Sequence, residues 1–420
     1  MSATMWKSTR LKFLSRLPIS NGLGVSGEYD NSEWPRYVRI TDIANSTKLK
    51  QDTFRSLPPE VADKARLFQN DLLFAAVGAT VGKSYLHLET GDFCFAGFLA
   101  RFSPNHEVSP KFISYWSQSE HFWNQINSML VKSTIENFSA SKYSNLMISI
   151  PNRSIQEKIV SKLDAMVGSI DDKIINFEKL KSLLEEKRSS LITKAVTKGL
   201  NLDVPMKATS VEWLSKIPVH WQDGIVKRFY KVDLGKMLDS NKQIGDSKPY
   251  LRAANIHWDE IKLDSVNQMS FTKKQQSHYR LKKGDLLVTE GGHTVGRSAI
   301  WYEDSECYFQ NSLNRVRGNL SSEEKYLHYI MFHLKLSGYV NMISDTATFA
   351  HLTKEKLEAL TIPMPPIEEQ KKIISYLDDY CKKVDSSKLI IEEQIAYLKE
   401  YRTTLISAAV TGKIDFHESV

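Results

Sequence analysis

The chain has 420 residues, 41% of them apolar and 25% charged, with a formal net charge of +7. That length gives room for two or three domains with cores of their own, and the mild basic excess permits a nucleic-acid partner without requiring one. Three cysteines (Cys94, Cys307 and Cys381) without a CxxC, a polar N-terminus and the lack of any apolar run near ~18 residues argue against a disulfide framework, a cysteine-type zinc site, a signal peptide and a membrane span, and for a soluble, cytoplasmic protein with no membrane partner.

Residues 1–150 read as a mixed α/β domain. Short β-type runs such as Tyr37–Ile40 lie between Gly, Asn and Asp turn signals, and residues 110–130 carry aromatic and aliphatic side chains at helical spacing. Residues 151–198 differ in kind. Ile159, Leu163, Met166, Ile170, Ile174, Phe177, Leu180, Leu184 and Leu191 fall mostly at alternating steps of three and four, the stripe of a long coiled-coil helix. Pro151 stands at its start and Gly199 just past its end, while Gly168 interrupts its interior at a cost of ~1 kcal/mol. A linker, 199–211, leads to a second mixed α/β domain, 212–362, with a strand at Asp285–Thr289 and helical spacing over 323–343. A second long helix, 363–412, and a tail, 413–420, complete the chain. The second stripe runs through Ile373, Leu377, Cys381, Val384, Ile391, Ile395, Leu398, Leu405 and Ala409, with Gly412 after it.

The second half repeats the first. At the offset that carries Pro151 onto Pro365, Gln156 meets Gln370, Asp164 meets Asp378, Asp171 meets Asp385, and Arg188 meets Arg402. At the same offset Asp71-Leu72-Leu73 meets Asp285-Leu286-Leu287, and Val81-Gly82-Lys83-Ser84 meets Val295-Gly296-Arg297-Ser298. A long-period tandem repeat predicts a pseudo-two-fold molecule suited to reading DNA at two places. Two apolar stripes in one chain bury each other most simply as an antiparallel pair.

Several motifs invite sharper readings. Gly78 to Ser84 resembles a phosphate loop, but only three residues separate its glycines where four are needed; the second copy, Gly291 to Ser298, has the spacing but Arg297 in place of lysine. A tight turn is the better account, with Lys83 and Arg297 either facing DNA phosphate or simply solvated. Between Phe95/Phe309 and Leu99/Leu313 the halves differ, Ala96-Gly97-Phe98 against Gln310-Asn311-Ser312. Gln310 and Asn311 suit bidentate contacts to adenine, or they stabilise a turn. Lys132 and Thr134, with Thr348 and His351, suit a loop against a phosphate backbone or an ordinary helix N-terminus. The histidines form no metal-binding pattern, and no catalytic motif or S-adenosylmethionine pocket is evident, so neither a metal nor a catalytic residue is expected.

Taken in order, Leu146–Lys198 and Leu360–Lys413, each behind an α/β domain, resemble the specificity subunit of type I restriction-modification systems. The motifs that carry the likeness are Pro365-Pro366-Ile367-Glu368-Glu369-Gln370 with Ile373, Leu377 and Asp378, and the linker 199–206 leading into Glu212-Trp213-Leu214-Ser215 and His220-Trp221. The resemblance implies two target recognition domains that each read half of a bipartite double-stranded DNA site, separated by a helical spacer. It implies a chain without chemistry of its own, which docks two methyltransferase subunits and possibly restriction-translocase subunits. S-adenosylmethionine would then sit in the methyltransferase, ATP and Mg in a restriction subunit, and no cofactor in this chain. On this reading the repeated polar residues Gln156, Asp164, Arg188, Gln370, Asp378 and Arg402 are candidates for partner docking. Pro151-Asn152-Arg153-Ser154-Ile155-Gln156 departs from the acidic pattern of the second repeat. The rival from another class is a non-catalytic coiled-coil adaptor with protein-binding end domains; a recognition module split from a fused endonuclease-methyltransferase is a third reading.

Overall fold

The computed structural model describes residues 6–130, 137–238, 244–344 and 351–414. It divides into two compact units: Met1–Glu178 with Ile391–Val420, and Lys179–Ile390. Each unit therefore contains one mixed α/β domain, part of one long helix and part of the other.

In the first unit Lys7–Arg10 pairs antiparallel with Met147–Ile150, which brings the two ends of the domain together just ahead of the first long helix. A four-stranded antiparallel sheet runs in the order Ser20–Asn21, Leu99–Phe102, Leu72–Ala75, Ser84–Leu86. A three-stranded sheet places Phe93–Phe95 between Arg36–Val38 and Arg66–Leu67. The strand Leu72–Ala75 is buried along its whole length because both of its faces are covered. Leu72 and Phe74 point to a core with Phe112, Ile113, Trp116 and Phe122, whereas Leu73 and Ala75 point to one with Val38, Leu67, Tyr85 and Phe95.

The second unit repeats this plan. Gln222–Ile225 pairs with Thr361–Met364, and a four-stranded sheet runs Tyr230–Leu234, Leu313–Gly318, Leu286–Thr289, Ser298–Ile300. Leu286 and Val288 again face one core and Leu287 the other. Its three-stranded sheet departs from the first: Asp246–Leu251 lies between Asn267–Phe271 and Tyr308–Phe309. The repeated Asp71 and Asp285 explain themselves locally. Each carboxylate accepts from a backbone N–H three residues back, Phe68 at 2.9 Å and Lys282 at 2.8 Å, closing the turn that feeds the central strand. The strand expected at Tyr37–Ile40 ends earlier. Arg36–Val38 is extended, and Ile40–Asp42 is a 3-10 turn held by Asp42, which accepts from Arg39 N at 2.8 Å.

The long helices span Arg153–Lys198 and Ile367–Val410, and they end at left-handed glycines, Gly199 (φ 74°) and Gly412 (φ 72°). Gly168 does not break the first helix. Its start lacks the acidic residues of the second, and Asn152 takes their place: its side-chain oxygen accepts from Ile155 N at 3.1 Å. The two helices are antiparallel, and each unit carries one of two repeat-related ion pairs between them. In the first unit Arg402 meets Asp171 at 2.9 Å; in the second Arg188 meets Asp385 at 3.2 Å. Of the expected stripe, Met166 and Leu180 are exposed, while Val160, Val167, Ile192 and Val196 are buried. A straight helix of 3.6 residues per turn drifts from a 3.5 repeat, and the buried face follows the globular domain it packs on.

Candidate nucleic-acid interface

Residues far apart in sequence meet at one end of each four-stranded sheet. In the first unit the strand Leu72–Ala75 ends in a 3-10 turn, Gly78–Thr80, whose tip residues Ala79 and Thr80 are exposed. Gly78 has φ 70°, a conformation that favours glycine. Beside it lies the turn Ala96–Phe98, joined to it by Ala76 N donating to Phe98 O at 2.8 Å. Leu23 O accepts from Gly97 N at 2.6 Å, and Asn137 bridges to Val77. Gly22 permits this closeness: a Cβ there would lie 2.1 Å from Phe95 O.

The second unit assembles the same end from the matching residues. Gly292 has φ 73°, and His293 takes the exposed place of Ala79. Glu290 N donates to Ser312 O at 2.9 Å, Asn311 N donates to Lys236 O at 3.0 Å, and His351 bridges to Gly291. A Cβ on Gly235 would lie 2.2 Å from Gln310 O, the counterpart of the Gly22 contact. Burial raises the Glu290 carboxyl above its ordinary range; His351 opposes the shift and Glu355 adds to it.

This end of the second unit gathers four of the residues singled out from sequence, Arg297, Gln310, Asn311 and His351. Gln310 and Asn311 sit on the turn, half-buried, and among the described residues no side-chain hydrogen bond engages their amides. His351 is exposed beside them. Arg297 immediately precedes the strand Ser298–Ile300 after the turn, and its charge acts on Lys335. Burial, and then the Arg297 charge, hold the Lys335 ammonium below its usual range. Lys83 occupies the matching place but turns back on its own domain, donating to Ile43 O at 3.1 Å. Lys132, Thr134 and Thr348 lie outside the described residues. The glycine-rich segments connect antiparallel strands and lead into no helix, so they lack the helix N-terminus on which a phosphate loop depends.

The repeated polar residues of the long helices all have partners within the chain itself. Gln156 and Gln370 are wholly buried. The Gln156 side chain accepts from Ser109 N at 2.8 Å and donates to Glu107 O and Pro151 O at 3.0 and 2.9 Å. Gln370 does the same with Glu323 N, Ser321 O and Pro365 O at 3.0, 3.0 and 2.8 Å. With no exposed surface and their amides fully engaged, both glutamines tie a long helix to the α/β domain before it. Asp164 accepts from Lys111 and Tyr115 at 2.6 and 2.8 Å, and Asp378 from Tyr329. Arg402 bonds Asp171 and Gln118, and Arg188, itself buried, meets Asp259 as well as Asp385.

Sequence reasoning missed the centre of the second unit's charge network. Asp259, at φ 58°, receives Lys325 at 2.5 Å, His328 at 3.0 Å and Arg188 at 3.3 Å. Burial by itself would raise its pKa, but the charges and hydrogen bonds of His328 and Lys325 hold the carboxyl well below the usual range. Nothing in the repeat pattern signals Asp259, because the first unit has Asn45 and Ser46 in that region.

A family model described as "Type I restriction modification DNA specificity domain" matches residues 17–183 and again 218–396. The chain is 20% identical over 406 residues to the type I restriction enzyme StySPI specificity subunit of Salmonella potsdam, covering 92% of this chain and 84% of that one. To the EcoKI specificity subunit of Escherichia coli strain K12 it is 19% identical over 401 residues, with the same coverage. Among solved structures, the fold matches a chain described under "complex assembly and conformational transition of the type I R-M system" with a TM-score of 0.75 and 19% identity, over 97% of this chain and 98% of that one. It matches the HsdS subunit from Thermoanaerobacter tengcongensis with a TM-score of 0.57 and 18% identity, over 97% of both. With a family match in each of its repeats, over most of its length, this chain belongs to the type I restriction-modification DNA specificity family.

Proposed function

We propose that this chain, as the specificity subunit of a type I restriction-modification system, reads a bipartite, asymmetric double-stranded DNA site with one recognition domain per half-site, and docks methyltransferase subunits through its helical regions. The chain supplies recognition and no chemistry; S-adenosylmethionine, and ATP with Mg where a restriction subunit joins, belong to the partners. One observation carries the reading. On matching turns at one solvent-facing end of each sheet the two repeats present different residues, Ala79 against His293 and Ala96-Gly97-Phe98 against Gln310-Asn311-Ser312, over a frame that keeps Asp71 and Asp285, Gly82 and Gly296, and Gln156 and Gln370 in common. A shared scaffold with divergent tips suits two half-sites of different sequence, with amides on one tip able to pair with adenine edges.

The test is a genome-wide map of N6-methyladenine in cells that co-express the chain with its methyltransferase subunit. The expected result is methylation at one asymmetric two-part motif, absent without the chain. An assembled complex that leaves no chain-dependent methylation, together with DNA binding that does not weaken steeply as salt rises, favours the adaptor reading.

A further inference from the structure

The same turn presents opposite chemistry in the two units. In the second, Ser312 is turned inward, where its hydroxyl oxygen accepts from Ala253 N at 3.0 Å, and the turn offers the amides of Gln310 and Asn311. In the first, the corresponding turn offers Phe98, whose surface is 65% exposed. The backbone beneath Phe98 is fixed: Ala96 N donates to Val38 O at 3.0 Å, Gly97 N to Leu23 O at 2.6 Å, and Leu99 N to Ala96 O at 2.9 Å. The Asn21 side chain also donates to Gly97 O at 2.8 Å. An aromatic ring held out from so rigid a turn is preorganised for contact.

Next to the ring opens a cleft of about 570 Å³, lined by Leu23, Val25, Tyr37, Ile40 and Ala96 among others. Of the polar side chains on its wall, Ser26 bonds Glu28 at 2.8 Å, Thr41 lies exposed at the rim, and the two largest are turned to the protein. The Tyr37 hydroxyl lies 2.8 Å from Leu23 O and 2.9 Å from Val25 O, and Arg39 is paired with Asp42 at 2.7 Å. Ring and cleft together make an apolar reading surface, where the second unit has a hydrogen-bonding one. A base pair in intact duplex DNA offers one apolar group at its major-groove edge, the thymine C5-methyl.

We infer that Phe98 is a specificity-determining residue of the first recognition domain and reads the C5-methyl group of a thymine in its half-site. The inference rests on the function proposed above. A single methyl contact of this kind is worth about fourfold in affinity.

The experiment uses the assembled complex of the full chain with its methyltransferase subunits and the duplex found by the methylation map. Each thymine of the first half-site is replaced in turn by deoxyuridine, which removes only the methyl group, and binding is followed by fluorescence anisotropy. The native chain is expected to lose about fourfold at one position. Phe98→Ala is expected to bind the thymine duplex several-fold less tightly and to bind thymine and uracil duplexes equally at that position, with the second half-site unaffected. Phe98→Tyr, which keeps the ring, retains the discrimination. A first half-site with no methyl-sensitive thymine overturns the inference, as does a Phe98→Ala complex that keeps native discrimination or weakens on every duplex alike. Those outcomes leave sequence-specific binding, and so the broader function, intact. A complex without sequence-specific binding fails the broader function and takes this inference with it.

Discussion

Replacing Gln156 by alanine is expected to destabilise the first unit by ~3 kcal/mol. The magnitude follows from what the side chain satisfies. Ser109 N, in a buried residue, loses its acceptor, and an orphaned buried donor costs ~1–3 kcal/mol. Glu107 O and Pro151 O each lose a donor, adding roughly 0.5–1 kcal/mol apiece. Gln370→Ala is expected to cost the second unit about as much, because its three bonds match one for one. Gln156→Glu is no rescue: a carboxylate can accept from Ser109 N but sets an anion against two carbonyl oxygens. The assay is hydrogen exchange across a urea series, with peptides assigned to each unit. The expected pattern is loss of protection in the unit that carries the substitution, with methyltransferase binding by the folded chain unchanged. Loss of less than ~1 kcal/mol in the isolated chain, together with impaired methyltransferase binding, would refute this reasoning and return the glutamines to a docking role.

The two interhelical ion pairs are expected to differ despite their common origin. Arg402→Ala removes a partly exposed pair and costs ~1 kcal/mol, whereas Arg188→Ala disrupts a buried cation that also meets Asp259 and costs ~2–3 kcal/mol; equal losses in urea denaturation would contradict this. His87, buried against Phe93 and near Arg36, has its pKa lowered to about 4 by burial and then by the arginine charge. The folded value lies below the unfolded 6.5, so its contribution is full above pH 6.5 and is lost as pH falls toward 4. Relative to His87→Gln, the native first unit is expected to lose ~2 kcal/mol between pH 7 and pH 4.5, and parallel pH profiles would count against it. Gly22→Ala places a methyl 2.1 Å from Phe95 O and must shift the first reading turn. The expected result in the methylation map is relaxed sequence preference at one half-site with the other retained, and an unaltered motif would disprove the tie between that turn and reading.

The duplication, the order of domains and helices, and the antiparallel closure were legible from sequence because they rest on periodicity. A stripe at steps of three and four, and a fixed offset between repeats, survive without knowledge of any contact. The residues proposed to read DNA were also partly visible, since Gln310 and Asn311 stand where the halves disagree. Their convergence with Arg297 and His351 was not visible, because it depends on how four strands are ordered in a sheet. In the sequence Phe98 stands only as the alternative to an amide; its exposure beside a cleft is a property of the folded domain.

The repeated polar residues show the limit most plainly. Identity between repeats marks Gln156 and Gln370 as important, but a letter does not say whether an amide faces a partner or its own chain. Burial decides that, and burial is a property of the packed fold: each glutamine lies under the domain that precedes it, where its hydrogen bonds hold that domain to the helix. Asp259 is the converse case. It has no counterpart in the other repeat, and its charge acquires partners only because folding brings Arg188, Lys325 and His328 around one carboxylate. Periodic burial, which needs only neighbours along the chain, is written in the sequence; long-range polar satisfaction exists only once the tertiary structure has closed around it.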